Sequence, residues 1–233
     1  MRQQTWQVVA RRNARDVAIP DDVTADELDP AVRRELRGLA GVTSDLVARH
    51  LVTAGRLLDE DPQGALAQAR AARALAGRIG SVREAAGIAA YRAGEYAEAL
   101  ADLRAARRLD GNSEHLPLMA DSERGLGRPE RALALGDDPG VGRLDHAARV
   151  ELAIVLSGAR RDLDQPEAAV LALQGPDLDD AAVHPWSVRL WYAYAEALLA
   201  AGRRGEARRW FARAAAEDGD DETDADDRAS ALE

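Results

Sequence analysis

Cysteine and lysine are absent from the chain, which also has only one phenylalanine, four tyrosines and four tryptophans. Without cysteine there are no disulfides, no thiol catalysis and no cysteine-ligated metal sites. Aromatic and β-branched residues are too scarce for a β-sandwich, whereas alanine exceeds a fifth of the residues and suits closely packed helices. No stretch approaches the roughly 20 apolar residues that a membrane helix needs. We therefore expect an all-α, cytoplasmic protein that binds no membrane.

Negative charge is concentrated at one end of the chain. The net charge is −10, and residues 217–233 contribute −8 of it through nine acidic residues and one arginine. The rest of the chain, positions 1–216, carries only −2, which argues against a general nucleic-acid surface. All 31 basic residues are arginine, a side chain that favours planar, bidentate contacts with carboxylates and phosphates.

Two segments of the chain are near copies of each other. Residues 65–75 read ALAQARAARAL and residues 99–109 read ALADLRAARRL, so eight of eleven positions agree when position 65 is aligned with position 99. In a chain this rich in alanine, chance would match about one or two of those positions. The resulting period of 34 is typical of a helix–turn–helix unit stacked on copies of itself.

Proline and glycine divide the chain into five predicted helix pairs. The pairs are 46–59 with 62–78, 81–93 with 96–110, 115–126 with 129–135, 145–163 with 166–174, and 186–201 with 205–217. Each second helix carries a small residue where the two helices of its pair would cross. These residues are Ala65, Ala99, Ala132, Ala169 and Ala207, and the successive intervals between them are 34, 33, 37 and 38.

Helix signals begin before the first pair. Thr24 with Glu27 forms a capping-box pattern, and Asp29 followed by Pro30 is a second helix start. We expect residues 21–41 to contain a capping helix, ended by Gly38 and Gly41, that covers the open end of the stack. Accordingly, residues 1–20 form a flexible basic arm, residues 42–216 the five helix pairs and residues 217–233 an acidic tail.

The helix pairs resemble the tetratricopeptide repeat, whose pattern sets small, glycine and aromatic residues at defined intervals. The second pair matches it with Gly87, Gly94, Tyr96, Ala99, Leu103 and Ala106, and the fifth with Trp191, Tyr194, Ala195, Gly202, Phe211 and Ala214. The resemblance covers residues 42–216 and implies a right-handed α-solenoid. The chain is also similar to an uncharacterised family of such repeat proteins from high-GC bacteria, in the segments ELDPAVRRELR, VREAAGIAAY and ERGLGRPERAL. This similarity implies that the chain is a repeat protein and implies no mechanism.

The resemblance also implies where a partner would bind, because this repeat lines a concave groove with first-helix residues. Transferred by spacing, the groove residues are Glu84, Ile88, Tyr91, Arg92, Asp121, Arg124, Glu151, Arg161, Arg189, Tyr192 and Glu196. Tyrosine and arginine are favoured as binding anchors, and the arginines could hold a carboxylate or phosphate group. The alternative is a solvated helix face with ordinary charges.

The third and fourth pairs depart from the pattern. Glycine and proline should end their second helices early and lead into loops at 137–142 and 176–185. Glu123 and Arg160 stand where large apolar residues are expected, and we predict that they form a partly buried pair. Alternatively, both side chains reach water.

Both ends of the chain leave alternatives open. The arm carries Arg2, Arg11, Arg12 and Arg15, and it is either an untethered terminus or a contact for nucleic acid or an acidic partner. The tail is a disordered solubilising segment, a short capping helix that starts near Thr223, or a segment that folds into the groove and screens its arginines.

Signals for catalysis are missing from the sequence. His50, His115 and His146 fall in separate predicted pairs and His184 in a predicted loop, without metal-ligand spacing, and no nucleophile-elbow, phosphate-loop or dinucleotide motif occurs. We expect no enzyme activity, cofactor or metal. The predicted function is a protein-interaction scaffold that binds a peptide or partner helix in its groove. The alternatives are a regulatory protein whose arm binds nucleic acid, and a structural protein that self-associates through its end faces.

Overall fold

Helices make up all of the regular structure in the part of the chain that the structure describes. The computed structural model describes residues 17–219 and 222–233, and within these ranges there are thirteen α-helices, two short 3₁₀ helices and no strand. The predicted all-α class is therefore confirmed. Contacts divide the chain into two bodies, Met1–Asn112 and Ser113–Glu233, which are described in turn.

The first body consists of a capping segment and two helix pairs. After a 3₁₀ turn at Ala25–Glu27 come α1 (Pro30–Leu36), α2 (Gly41–Leu57), α3 (Pro62–Ala76), α4 (Gly80–Arg92) and α5 (Tyr96–Asp110). Each helix packs against the next, and the first helices of the two pairs, α2 and α4, also touch. The Thr24 amide donates to Glu27 Oε1 (2.8 Å) and the Ala31 amide to Asp29 Oδ1 (2.6 Å), so both predicted helix starts form.

The second body contains three helix pairs and a C-terminal helix. Its helices are α6 (Leu116–Gly125), α7 (Pro129–Gly136), α8 (His146–Asp162), α9 (Pro166–Leu173), α10 (Pro176–Asp179), α11 (Ser187–Ala200), α12 (Arg204–Glu217) and α13 (Ala225–Ser230). The first helices α6, α8 and α11 form a row, because α8 contacts both of the others. The second helices α7 and α9 have only eight residues each, so both end early, as their glycine and proline residues predict.

One turn geometry recurs at four pair junctions, one in the first body and three in the second. A left-handed residue (φ between +57° and +77°) follows each first helix at Gly94, Gly127, Asp164 and Gly202. The next amide then donates to the carbonyl five residues earlier, from Glu95 to Ala90 in the first body, and the four equivalent distances are 2.8 or 2.9 Å. The helix–turn–helix repeat is thus present in backbone geometry as well as in sequence.

Small residues set the spacing inside each pair. Ala65, Ala99, Ala132, Ala169 and Ala207 are all fully buried. A Cβ atom on Gly87 would lie 2.6 Å from Leu103 Cδ2 and 3.1 Å from the Leu103 amide nitrogen. Only glycine lets α4 and α5 approach this closely without a shift of the backbone.

A buried carboxylate ties together three helices of the first body. Asp102 on α5 is 1% exposed and accepts hydrogen bonds from Arg73 on α3 and from Arg83 on α4, the latter at 2.6 Å. Arg73 also contacts Glu98 Oε1 (2.8 Å), and Arg83 donates to the Gly77 carbonyl (2.7 Å). Because every charge in this cluster has a partner, the cost of burying Asp102 is offset.

Aromatic residues are concentrated in the core of the second body. Trp191 and Phe211 are almost completely buried between α11 and α12. The Arg213 guanidinium lies 4.1 Å from the centre of the Trp191 ring and donates to the Leu178 carbonyl (2.8 Å) and the Asp180 carbonyl (2.9 Å). Arg213 therefore holds α10 against the core by a cation–π contact and two hydrogen bonds.

The structure corrects two expectations about segment ends. Gly41 is the first residue of α2 rather than the end of the capping helix, so the capping region stops one residue earlier than predicted. The segments predicted as loops contain short helices: a 3₁₀ turn at Pro139–Arg143 and the helix α10. Asp138 caps the first of these by accepting from the Gly140 amide at 2.7 Å.

The predicted pair between Glu123 and Arg160 is wrong. Glu123 is buried, and its Oε2 lies 3.6 Å from Arg128 Nη1, whereas Arg160 donates to Gln165 Oε1 at 2.8 Å. Both contacts span five residues across the recurring turn. Each side chain thus interacts across its own turn rather than with the equivalent position of the neighbouring pair.

Candidate functional site

In the first body, the four predicted groove residues lie along α4. Glu84, Ile88 and Tyr91 are half-buried, and Arg92 is exposed. Arg92 Nη2 lies 3.3 Å from Asp59 Oδ1, and the Tyr91 ring centre lies 6.0 Å from that of Tyr96. The structure brings these four residues to one helix.

In the second body, the predicted groove residues form one connected surface, which we call the first-helix face. It comprises Asp121 and Arg124 of α6, Glu151 and Arg161 of α8, and Arg189, Tyr192 and Glu196 of α11. The three arginines on this face each bind at least one carboxylate. The face is therefore charged but balanced.

Arg124 joins α6 to α8. It donates to Asp121 Oδ1 (2.9 Å) on its own helix and to Asp162 Oδ2 (2.8 Å) on α8. A Cβ atom on Gly158 would lie 2.5 Å from Arg124 Cζ, so the guanidinium lies directly over a glycine of α8. Burial is the largest single effect and lowers the pKa of Arg124, but the hydrogen bonds and charges of Asp162 and Asp121 together outweigh it, so the pKa of Arg124 is raised.

Two ion pairs join α8 to α11. Arg189 Nη2 donates to Glu151 Oε1 (2.5 Å) near the starts of the two helices, and Arg161 Nη1 donates to Glu196 Oε2 (2.7 Å) near their ends. The two helices therefore run in the same direction, with charges matched at both ends. Such pairs fix the register of neighbouring first helices.

Residues 222–233, which we call the C-terminal segment, bind to the α11 end of this face. Glu222 Oε2 lies 3.3 Å from Arg189 Nη1, the Tyr192 hydroxyl donates to Asp224 Oδ1 (2.6 Å), and Arg228 donates to Glu196. The tail thus forms a short helix, and that helix contacts predicted groove residues. Among the alternatives considered for the tail, the structure shows the short helix, and this helix packs mainly on α12.

Burial and acidic neighbours change the chemistry of Tyr192. Burial, the hydrogen bond to Asp224 and the nearby charge of Glu196 together raise its pKa to about 12. The ring also packs edge-on against Phe211, at 5.3 Å between ring centres. Tyr192 therefore stays a neutral hydrogen-bond donor to carboxylates over the whole physiological pH range.

Sequence reasoning missed the residues of the C-terminal segment that complete the face. Glu222, Asp224 and Arg228 lie in a run of acidic residues that has the composition of a solvated tail. One sequence signal could have identified this segment as a packed helix, because Ala225 and Ala229 are four residues apart. The structure buries both side chains.

Away from the first-helix face, His146 of α8 and His184, which lies between α10 and α11, meet at one tryptophan. The His184 ring stacks on Trp186 (4.6 Å between centres) and the His146 ring contacts it edge-on (5.2 Å). His146 Nε2 lies 2.7 Å from Asp177, and His184 Nε2 lies 3.1 Å from Asp180. Among the described residues, no group of three or more histidine or acidic side chains could hold a metal ion.

The early end of α7 leaves a cleft of about 450 Å³ in the second body. Its lining residues are Glu130, Leu133, Ala134, Gly136, Asp137, Leu156, Arg160 and Ala172. A Cβ atom on Gly136 would lie 2.8 Å from Leu156 Cδ1, so the glycine makes room for that leucine. The cleft includes none of the predicted groove residues.

The chain matches no protein-family model and no curated protein sequence. Over residues 17–219 and 222–233, none of the helices has the length and apolar character required to cross a bilayer.

Proposed function

We propose that the protein is a scaffold of tetratricopeptide-like repeats in a right-handed α-solenoid, and that it binds a peptide or partner helix through first-helix residues. The observation that carries this proposal is the C-terminal segment, which packs on α12 and makes polar side-chain contacts with α11. A surface that holds one acidic helix through an arginine, a tyrosine and a buried apolar contact has the chemistry to hold another.

The charges of the first-helix face favour a protein partner over nucleic acid. Arg124, Arg161 and Arg189 alternate with carboxylates that already bind them, so the face offers both signs of charge rather than a basic stripe. The alternative of nucleic-acid binding rests on the arginines of residues 1–15, which lie outside the described residues. A protein segment with both acidic and basic side chains complements the face better than a polyanion does.

The proposal is tested by capture of partners on variants of the full chain. The face variant carries Arg124→Ala, Arg161→Ala and Arg189→Ala. The matched control carries Arg131→Ala, Arg204→Ala and Arg209→Ala, which remove the same charge from exposed positions on the second helices α7 and α12. Captured proteins are identified by mass spectrometry, and the best candidate is then purified and its affinity measured.

We expect the wild type and the control variant to capture the same partner and the face variant to lose it. Both variants must retain the helical circular dichroism of the wild type. If a purified partner binds all three chains with equal affinity, the first-helix face is not the binding surface and the proposal is wrong.

A further inference from the structure

We propose that the surface of α11 and α12 beneath the C-terminal segment is a binding site for an acidic helical segment of a partner protein. The chain's own residues 222–233 then act as a resident competitor that the partner must displace. This inference rests on the proposed function, because it names the partner chemistry and the regulation of the same first-helix face.

The C-terminal segment contacts α11 in a defined register. Along the segment, Glu222, Asp224 and Arg228 meet Arg189, Tyr192 and Glu196 of α11 in that order. The segment therefore runs in the same direction as α11, with one polar contact on each successive turn. A contact set with two acceptors followed by a donor recognises a pattern of charge rather than negative charge alone.

Small apolar side chains let the segment approach closely. Ala225 and Ala229 are 1% and 8% exposed, and Leu232 packs on the same core. The Arg228 guanidinium lies 5.2 Å from the centre of the Phe211 ring while it binds Glu196. The recognised pattern thus has two carboxylates, Glu222 and Asp224, which lie three residues and one residue before Ala225. An arginine, Arg228, and a second small side chain, Ala229, follow.

The same relation occurs between α8 and α11. Arg189 binds Glu151 of α8 as well as Glu222, and Glu196 binds Arg161 of α8 as well as Arg228. The helix α8 and the segment therefore each present an acidic residue and then an arginine to Arg189 and Glu196 of α11. Because two segments of different sequence supply this order of charges, Arg189 and Glu196 recognise the charge pattern rather than one particular sequence.

The resident segment is suited to displacement. The helix α13 has six residues, which is too short to be stable by itself, so it is helical because it is docked. The side chains in its ion pairs, Arg189 with Glu222 and Arg228 with Glu196, are between 17% and 44% exposed, and such pairs add little affinity. Its advantage over a partner is the covalent tether, which provides an effective concentration of the order of millimolar.

The test uses a fluorescein-labelled peptide of residues 218–233 and the full chain in three forms. The undocked form carries Ala225→Glu and Ala229→Glu, which place bulky charges at two buried positions. The matched control carries Ser230→Glu and Ala231→Glu, which add the same charge at exposed positions of the same segment. Hydrogen exchange of residues 222–233 measures release of the segment, and fluorescence anisotropy measures peptide affinity.

We expect the undocked form to bind the peptide about tenfold or more tightly than the wild type and the control do, because only its site is vacant. Peptide that itself carries Ala225→Glu and Ala229→Glu should bind at least about tenfold more weakly, although it is more acidic, which excludes simple charge attraction. Adding Arg189→Glu to the undocked form should abolish binding of the unmodified peptide.

Three results would overturn the inference. The first is equal peptide affinity for all three chains. The second is no peptide binding to the undocked form although its residues 222–233 exchange freely. The third is dimerisation of the undocked form without peptide binding, which would make a second copy of the chain the occupant. Failure of the proposed function gives a different result. In that case, every protein captured by the wild type or the undocked form is also captured by the face variant, which carries Arg124→Ala, Arg161→Ala and Arg189→Ala.

Discussion

Asp102 should be the most costly single charge to remove from the first body. It is 1% exposed, and it is the common acceptor of Arg73 and Arg83, whose side chains are 27% and 31% exposed. Asp102→Ala leaves two guanidinium groups without their shared carboxylate. Removing one partner of a buried ion pair costs about 3–5 kcal/mol, and we expect about 3 kcal/mol because both arginines can regain some water.

The measurement is thermal unfolding followed by circular dichroism, with urea unfolding as a second method. A loss of about 3 kcal/mol corresponds to a fall in Tm of about 6–12 °C for a chain of this length. Asp102→Asn retains one acceptor oxygen and the shape of the side chain, so its loss should be smaller.

The matched control is Asp59→Ala, which removes a carboxylate that is 78% exposed and lies 3.3 Å from Arg92. An exposed pair of this kind contributes almost nothing, so its Tm should equal that of the wild type within error. If Asp102→Ala also melts like the wild type, the account of Asp102 as the shared acceptor that stabilises three helices is refuted.

Three further predictions follow from single positions. Gly87→Ala should cost about 1–3 kcal/mol in unfolding free energy because its Cβ atom would meet Leu103, and Gly205→Ala, with open space around it, is the control; equal melting of the two would refute the clash. Asp164→Gly should raise stability by up to about 1 kcal/mol in urea unfolding, since Asp164 alone among the four recurring turns is not glycine, and a loss would contradict this. The pKa of Tyr192 is raised from 10.0 to about 12, so its contribution to stability is complete below pH 10 and is lost between pH 10 and 12. The difference between the absorbance titrations of the wild type and of Tyr192→Phe should show a phenolate step near pH 12. A step near pH 10 would rule this out.

The helices could be predicted from sequence because local chemistry sets their ends. Proline starts α3, α7 and α9, and glycine follows several of the first helices, so most predicted bounds agree with the structure within a residue or two. Gly41 misled the prediction because glycine usually ends a helix, whereas here it is the first residue of one.

The candidate site could be predicted only in part. Spacing along α6, α8 and α11 was enough to assign Arg124, Arg161 and Arg189 to the first helices, and Arg124 and Arg161 occupy equivalent positions in their pairs. Their carboxylate partners depend on side-chain packing and on a segment that comes much later in the chain, as in Tyr192 with Asp224. Glu123 shows the same limit: its contact with Arg128 across a turn is as compatible with the sequence as a contact with Arg160.

The recurring turn determines how a chain of this kind can change in length. At each of the four junctions the closing hydrogen bond lies within six consecutive residues, from Ala90 to Glu95 in the first body. No other helix pair is needed to complete it. Duplication or deletion of one whole pair therefore leaves the turn inside every remaining pair intact, and only the connections between pairs have to adapt.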